Sequence, residues 1–254
     1  VIVLHDGNLS DVAPPEDRLH ILPASALTVS GDKLEKIART DGVKGIYRDQ
    51  KLKVLALPEK SSIEPSSLPL SIEDPRKNPG YTGKGVTLAL IDTGADEQHE
   101  ALAGKIVAFK DFVNNQTAPY DDNGHGTHCA SLVAGEEGMG VAPGAGLVVI
   151  KVMDRDGACY LSDALKALDW CLENKDRYGI RVVSFSVGGE GPSDGSSLLD
   201  DACDKMVKEG LVMCVAAGNS GPAASSIVVP GDAENVITVG AVDSSGAIFE
   251  LSSR

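Results

Sequence analysis

The sequence predicts an α/β protein whose core is a mainly parallel sheet with helices on both faces. Apolar runs with little polar interruption recur along the chain, at residues 85–94, 147–153, 181–189 and 211–221. Runs of this kind are typical of parallel strands that are buried on both faces. A helical pattern lies between two of them, at 161–175, where leucines recur at i, i+4, i+7 and i+11. Only 4% of the residues are aromatic and 42% are hydrophobic, so aliphatic side chains must fill the core.

A small α+β domain of the ferredoxin-like type is expected before this core. Strand patterns at residues 1–4, 19–29 and 42–54 surround a helical pattern at 30–40. The segment between the first two strands is too short and too polar for the first helix of that fold. The expected parts of the chain are residues 1–56, 57–78 and 79–254. The middle part is rich in Ser, Pro and Glu, which indicates a linker between the two domains.

The charge of the chain excludes some classes of partner. The formal net charge is −14, which argues against nucleic acid as a partner. The chain also lacks the run of about 18 apolar residues that a membrane-spanning helix needs. The same acidity favours cations and admits a structural calcium ion, but the sequence assigns it no ligands.

The five cysteines are an odd number, so at least one thiol has no partner within the chain. Cys171 and Cys203 each lie in a predicted helix. They can form a disulfide if those helices are neighbours, and otherwise both are free buried thiols. The free thiols are the favoured alternative.

The segment 121–131, Asp-Asp-Asn-Gly-His-Gly-Thr-His-Cys-Ala-Ser, has the pattern of a displayed catalytic base. Glycines on both sides of His125 allow unusual backbone angles and leave its ring uncrowded. The small and apolar residues that follow predict a helix that would hold the ring rigidly. Most isolated histidines do no chemistry, so the interpretation depends on the two segments described next.

Two of the apolar runs end in polar side chains suited to act with His125. Asp92 ends the run at 85–94, and Asn219 ends the run at 211–221. The carboxyl ends of parallel strands meet at one edge of a sheet, where ligands bind in α/β folds. A carboxylate there can orient an imidazole, and an amide can donate a hydrogen bond to a developing oxyanion.

These motifs together resemble those of the subtilisin-like serine proteases. Asp-Thr-Gly at 92–94, His-Gly-Thr-His at 125–128 and Ala-Ala-Gly-Asn at 216–219 occur in the family's order, acid before base. The resemblance implies that Asp92 orients the ring, His125 is the general base and acid, and Asn219 completes the oxyanion hole. It also implies polypeptide substrates, chemistry that needs no cofactor, and a secreted protein whose signal peptide is not in this chain.

The resemblance further implies a substrate cleft and an inhibitor that fills it. The substrate-binding residues would be Asn123, Gly157, Ser186, Val187, Gly188, Gly189 and Gly218. The domain 1–56 would be the propeptide, which acts as an intramolecular inhibitor. The start of the linker would lie in the cleft, and the maturation cut would fall within the linker. Cys129 would lie under the catalytic imidazole, as in one branch of the family. No buried charge is expected in the specificity pocket, which predicts apolar or broad preference.

The family's Gly-Thr-Ser-Met-Ala motif, which carries the nucleophile, is not found in this sequence. Ser252 and Ser253 resemble a strand that precedes it, so a further C-terminal segment is expected to supply the serine. One alternative is a catalytically inactive peptide-binding module that keeps the cleft. Another is a metal hydrolase using Asp92, His125 and His128, which lacks the further ligands of a metalloprotease helix.

Overall fold

The computed structural model describes residues 1–6, 13–54, 80–136, 138–189, 193–243 and 245–254. Its thirteen strands in chain order are β1 (Ile2–His5), β2 (Arg18–Leu19), β3 (Ala24–Ala26), β4 (Val43–Tyr47), β5 (Lys51–Val54), β6 (Thr87–Asp92), β7 (Ile106–Asp111), β8 (Gly146–Lys151), β9 (Ala158–Tyr160), β10 (Ile180–Phe185), β11 (Val187–Gly188), β12 (Val212–Ala216) and β13 (Ile237–Val239). The α-helices are α1 (Gly31–Ala38), α2 (His125–Ala134), α3 (Leu161–Tyr178) and α4 (Leu198–Lys208).

The main domain is built on a six-stranded sheet in the order β13-β12-β10-β6-β8-β7. Every pairing in this sheet is parallel, so the α/β class predicted from the apolar runs is confirmed. The acid strand β6 lies between β10 and β8, near the centre of the sheet. Parallel order brings the carboxyl ends of these strands to one edge, and Asp92 is the last residue of β6.

Alternating side chains of the central strands fill two separate cores. Leu90 and Val149 pack on one face with Ala130 of α2. Ile91 and Ile150 pack on the opposite face, in the core that also contains Leu165 of α3. This alternation is the period of two that a strand imposes, and it explains why the runs are apolar on both faces.

Helix α3 has the buried leucine stripe that its sequence predicts. Leu161, Leu165 and Leu168 are buried, and the helix ends before Gly179, whose φ of +67° is the left-handed conformation of a helix C-cap. Among the described residues, no helix has both the length and the apolar character needed to cross a membrane.

The N-terminal part forms a separate four-stranded antiparallel sheet in the order β2-β3-β1-β4. Helix α1 covers it, with Ile37 packed in the cluster that holds Val3 and Leu27. This order is that of a ferredoxin-like sheet. Between β1 and β2, the described residues hold only a 3-10 turn at Pro15–Asp17 in place of a first helix.

The predicted strand at 42–54 is in fact two strands in different sheets. β4 completes the N-terminal sheet, whereas β5 leaves it and becomes the middle strand of a three-stranded sheet, β11-β5-β9. Strand β5 therefore enters the main domain before the expected linker begins. The domain boundary at 56, the linker 57–78 and any cut within it lie outside the described residues.

All five cysteines are free thiols. Cys171 and Cys203 are completely buried on α3 and α4 and share one core, but no bond joins them. Burial raises the pKa of both thiols, so they remain protonated in the core.

Candidate active site

The predicted acid and base are in direct contact. His125 is the first residue of α2, and its Nδ1–H donates a hydrogen bond to Asp92 Oδ1 over 2.7 Å. Asp92 is fully buried, while the imidazole keeps 16% of its side chain exposed. A buried carboxylate on one ring nitrogen fixes the orientation of the ring and leaves Nε2 for a reacting group.

The environment of His125 favours the charged form of its ring. Burial alone would lower the pKa, but the hydrogen bonds to Asp92 and Cys129 and the charge of Asp92 raise the pKa of His125 to about 10. The pair therefore stabilises an imidazolium. This is the species that forms when a histidine takes a proton from a nucleophile.

The approach of α2 to β6 depends on two glycines. A Cβ on Gly126 would overlap the backbone oxygen of Gly94, and a Cβ on Gly94 would overlap the backbone oxygen of Tyr120. Gly94 also has a φ of +115°, in the region that only glycine adopts readily. Glycine at these two positions lets the backbone after Asp92 approach the backbone around His125. This close approach explains why both predicted motifs contain glycine.

We expect Gly126→Ala to destabilise the protein by about 3 kcal/mol, because the new methyl group forces α2 away from β6. Alanine's better helix propensity, about 1 kcal/mol, does not offset this overlap. Urea unfolding measures the change. Gly31→Ala is the matched control, since Gly31 also begins a helix but has nothing within 4 Å of its added Cβ. Equal stability of the two variants would contradict the steric argument.

The loop before His125 is held by Asp121, which sequence analysis did not single out. Its Oδ1 accepts hydrogen bonds from the backbone N–H of Gly124 and from the hydroxyl of Thr93, at 2.9 Å each. Its Oδ2 accepts from the hydroxyl of Thr127 at 2.7 Å. Burial alone would raise the pKa of Asp121, but the hydrogen bonds from Gly124 and Thr127 lower it. The ionised carboxylate of Asp121 thus links the loop before His125 to Thr93, the residue that follows Asp92.

Lys151, at the end of β8, is a second residue that the sequence did not reveal as part of the site. Its side chain is fully buried, and its ammonium donates to Thr93 O at 2.5 Å, Met153 O at 2.8 Å and Asp122 Oδ1 at 2.6 Å. The cation also lies 4.9 Å from the ring centroid of Tyr120. Lys151, which belongs to β8, therefore connects β8 with the residue that follows β6 and with the loop before His125.

Asn219 lies three residues beyond the end of β12, at the same sheet edge, and is half-buried. The preceding Gly218 has a φ of +111° and packs against Val228. Ser253 holds this turn from the other side: its N–H donates to Gly218 O and its hydroxyl accepts from Ser220 N–H, both at 3.0 Å. These two hydrogen bonds hold the turn that carries Asn219.

Of the predicted cleft residues, Gly157, Val187 and Gly188 border β5, whereas Gly218 lies against Val228 and Ser253. Strand β5 pairs antiparallel with β9 on one side and with β11 on the other, and Val54 N–H donates to Gly157 O at 2.7 Å. In β11, Val187 pairs with Val54 and Gly188 pairs with Lys53. Ser186 and Gly189 flank β11 on either side.

Asn123 connects this cleft with the base loop. Its side-chain amide donates to Arg155 O at 3.0 Å, and its side-chain oxygen accepts from His125 N–H at 3.2 Å. The loop that carries His125 is therefore hydrogen-bonded to the turn that precedes β9.

Ser252 and Ser253 are buried, and their hydroxyls accept hydrogen bonds from the backbone N–H of Ala241 and Ser220. Both hydroxyls thus serve the backbone of the segments around them. His128 is exposed and does not join Asp92 and His125 in a group of close ligand atoms; Cys129 does. The metal hydrolase alternative therefore loses the third ligand on which it depends.

Comparison with known proteins decides the family. The sequence profile of the subtilase family, Peptidase S8, matches residues 83–254. The chain belongs to the subtilase family. The match includes every strand of the parallel sheet as well as Asp92, His125 and Asn219.

Several subtilases are similar to this chain. Serine protease AprX of Bacillus subtilis (strain 168) is 43% identical over 180 residues, which are 66% of this chain and 40% of AprX. Subtilisin DY of Bacillus licheniformis is 39% identical over 186 residues, 71% of this chain and 65% of that protein. The chain thus spans less than two thirds of either relative. The crystal structure of a cold adapted subtilisin-like serine proteinase superposes with a TM-score of 0.61 at 33% identity, covering 69% of this chain and 62% of that one.

Cys129 lies against the imidazole of this subtilase, with Sγ 3.7 Å from Nδ1 and 3.9 Å from Nε2 of His125. We expect a mercurial to abolish any peptidase activity of the full-length protein, because mercury on this sulfur would displace the ring. Cys129→Ser should make that activity resistant. Cys214→Ser, which removes the other half-buried thiol, should leave it sensitive. Full activity after stoichiometric labelling at Cys129 would contradict this expectation.

Proposed function

We propose that the full-length protein is a serine endopeptidase that hydrolyses polypeptides through an acyl-enzyme, with Asp92 and His125 as two members of its triad. The observation that carries the proposal is the 2.7 Å hydrogen bond between the buried carboxylate and the partly exposed ring. In this mechanism His125 takes the proton of a serine hydroxyl and returns it to the leaving amine. Asn219 donates to the oxyanion, and the chemistry needs no metal or other cofactor.

We propose further that residues 1–56 act as an inhibitory propeptide and that the structure is that of a zymogen. An extended chain paired with two strand edges is the way a peptide substrate binds by strand addition. Strand β5 is paired in this manner, and Leu52 in its middle is only 3% exposed. The segment thus occupies the place of a substrate backbone and keeps other peptides out.

The nucleophilic serine is proposed to come from a segment beyond this chain. In the part of the chain that the structure describes, no hydroxyl hydrogen-bonds to the ring of His125. The edge of the parallel sheet at and after β13 also exposes apolar side chains more than half to solvent: Ile237, Val239, Val242 and Ile248. An exposed apolar edge of this kind supports the proposal that a further segment packs against it. We also propose a secreted protein, and the acidic charge is compatible with structural calcium.

A fluorophosphonate probe tests this assignment. Treatment of the full-length protein should give one covalent adduct, and peptide mass spectrometry should place it on a serine outside residues 1–254. An adduct on a serine of this chain would contradict the proposed source of the nucleophile. Tight binding of extended peptides without any adduct would favour the inactive peptide-binding module instead.

A further inference from the structure

A second group of titratable side chains lies where the N-terminal sheet rests on α3, apart from the candidate active site. His20, in the turn after β2, meets Asp169 and Glu173 of α3. One ligand atom from each residue lies within 4.8 Å of the others. The two carboxylates are four residues apart, so they lie on the same face of the helix, one turn from each other.

The distance between the ligand atoms of His20 and Glu173 matches the spacing of two ligands around a small metal ion. His20 Nε2 is 3.4 Å from Glu173 Oε1. Zinc binds imidazole nitrogen at about 2.0–2.1 Å and carboxylate oxygen at about 2.0–2.2 Å, and a tetrahedron of such bonds has edges of about 3.3–3.5 Å. The pair is therefore already separated by the distance that two ligands of one zinc ion adopt.

Asp169 is held in place independently of any ion. Its Oδ1 accepts the backbone N–H groups of His20 at 2.9 Å and Ile21 at 2.6 Å, and its Oδ2 lies 3.0 Å from His20 N. The residue is only 7% exposed. These bonds fix the carboxylate and also fix the backbone of His20 beside it, which is how surrounding hydrogen bonds orient metal ligands.

We propose that His20, Asp169 and Glu173 bind a zinc ion that links the N-terminal sheet to α3. Two carboxylates balance the charge of the ion, and an open fourth position takes water. The imidazole ligand favours zinc over calcium or magnesium, which prefer oxygen ligands alone. Without an ion, the contact between His20 and Glu173 is a surface pair with side chains 68% and 51% exposed, which contributes little to docking. The site does not depend on peptidase activity.

The test measures zinc binding to the full-length protein in a Cys129→Ala background. That change removes one ligand from the group Asp92, His125 and Cys129, which could bind zinc separately. Isothermal titration with zinc chloride should show one ion per chain. His20→Gln and Glu173→Gln should each weaken binding at least 10-fold, whereas Asp176→Asn, an exposed acid on the same helix, should not.

Cobalt gives a second readout. Co²⁺ at this site should show the intense visible absorption of a tetrahedral ion, and His20→Gln should abolish it. By mass action on the folded state, zinc should also raise the melting temperature of the Cys129→Ala protein. It should not raise the melting temperature of the same protein with Glu173→Gln. Absence of binding, or binding unchanged in both the His20 and Glu173 variants, would overturn the proposal. Both side chains are more than half exposed, so these variants are expected to fold.

Discussion

His125→Ala is expected to lower kcat of the full-length protein in the proposed peptidase reaction by about 10⁶, the loss known for the corresponding change in subtilisin. The carboxylate of Asp92 orients the ring through Nδ1, and in the described part of the chain no second histidine or carboxylate is placed to take over proton transfer. Asp92→Asn should lower kcat by about 10⁴, because the ring then loses both its orientation and its compensating charge.

Hydrolysis of a chromogenic peptide measures these losses, after circular dichroism has shown that each variant is folded. His128→Ala is the control, since this histidine is on the same helix but is exposed. It should retain activity within about 10-fold. If His128→Ala lost as much activity as His125→Ala, the metal hydrolase alternative would be revived. An active His125→Ala variant would contradict the proposed triad.

Lys151→Met should destabilise the protein by about 3 kcal/mol or more, the cost of leaving partners of a buried charge unpaired. The methionine fills a similar volume but donates no hydrogen bond to Thr93 O, Met153 O or Asp122. Thr93 follows the catalytic acid and Asp122 lies in the base loop. We therefore expect kcat to fall while KM changes little, because β5 and its flanking strands do not contact the ammonium.

Chemical unfolding and steady-state kinetics on the same preparation give both quantities. Lys84→Met, at an exposed lysine just before β6, should change stability by less than about 0.5 kcal/mol. If Lys151→Met were as stable and as active as Lys84→Met, the buried cation would have no role in joining the two parts of the site.

The features that the sequence predicts well are those carried by short stretches of chain. Each apolar run contains a parallel strand of the main sheet, and the position of Asp92 at the end of β6 follows from the end of its run. His125 begins a helix because small residues follow it. Gly124, the residue before it, has a left-handed backbone conformation, with a φ of +101°. Such features depend on neighbours in sequence, so pattern and turn chemistry suffice to predict them.

Lys151 could not be recognised in this way. The sequence places Lys151 inside the apolar run 147–153 but indicates no partner for its charge, and lysines are seldom fully buried. Its burial depends on three acceptors from separate segments, and only the fold brings these together. The same limit applies to β5. Its composition suits either sheet, and only tertiary pairing with β9 and β11 assigns it to the main domain.

The central place of β5 has a consequence for the main domain on its own. If residues 1–54 leave, β9 and β11 become two free edges that face each other across a gap about 10 Å wide, twice the spacing of paired strands. Such a slot exposes unpaired N–H and C=O groups on both sides, and it is open to any extended polypeptide. A molecule in this state can accept a loose tail of a neighbouring copy, so chain-to-chain association would begin at this gap.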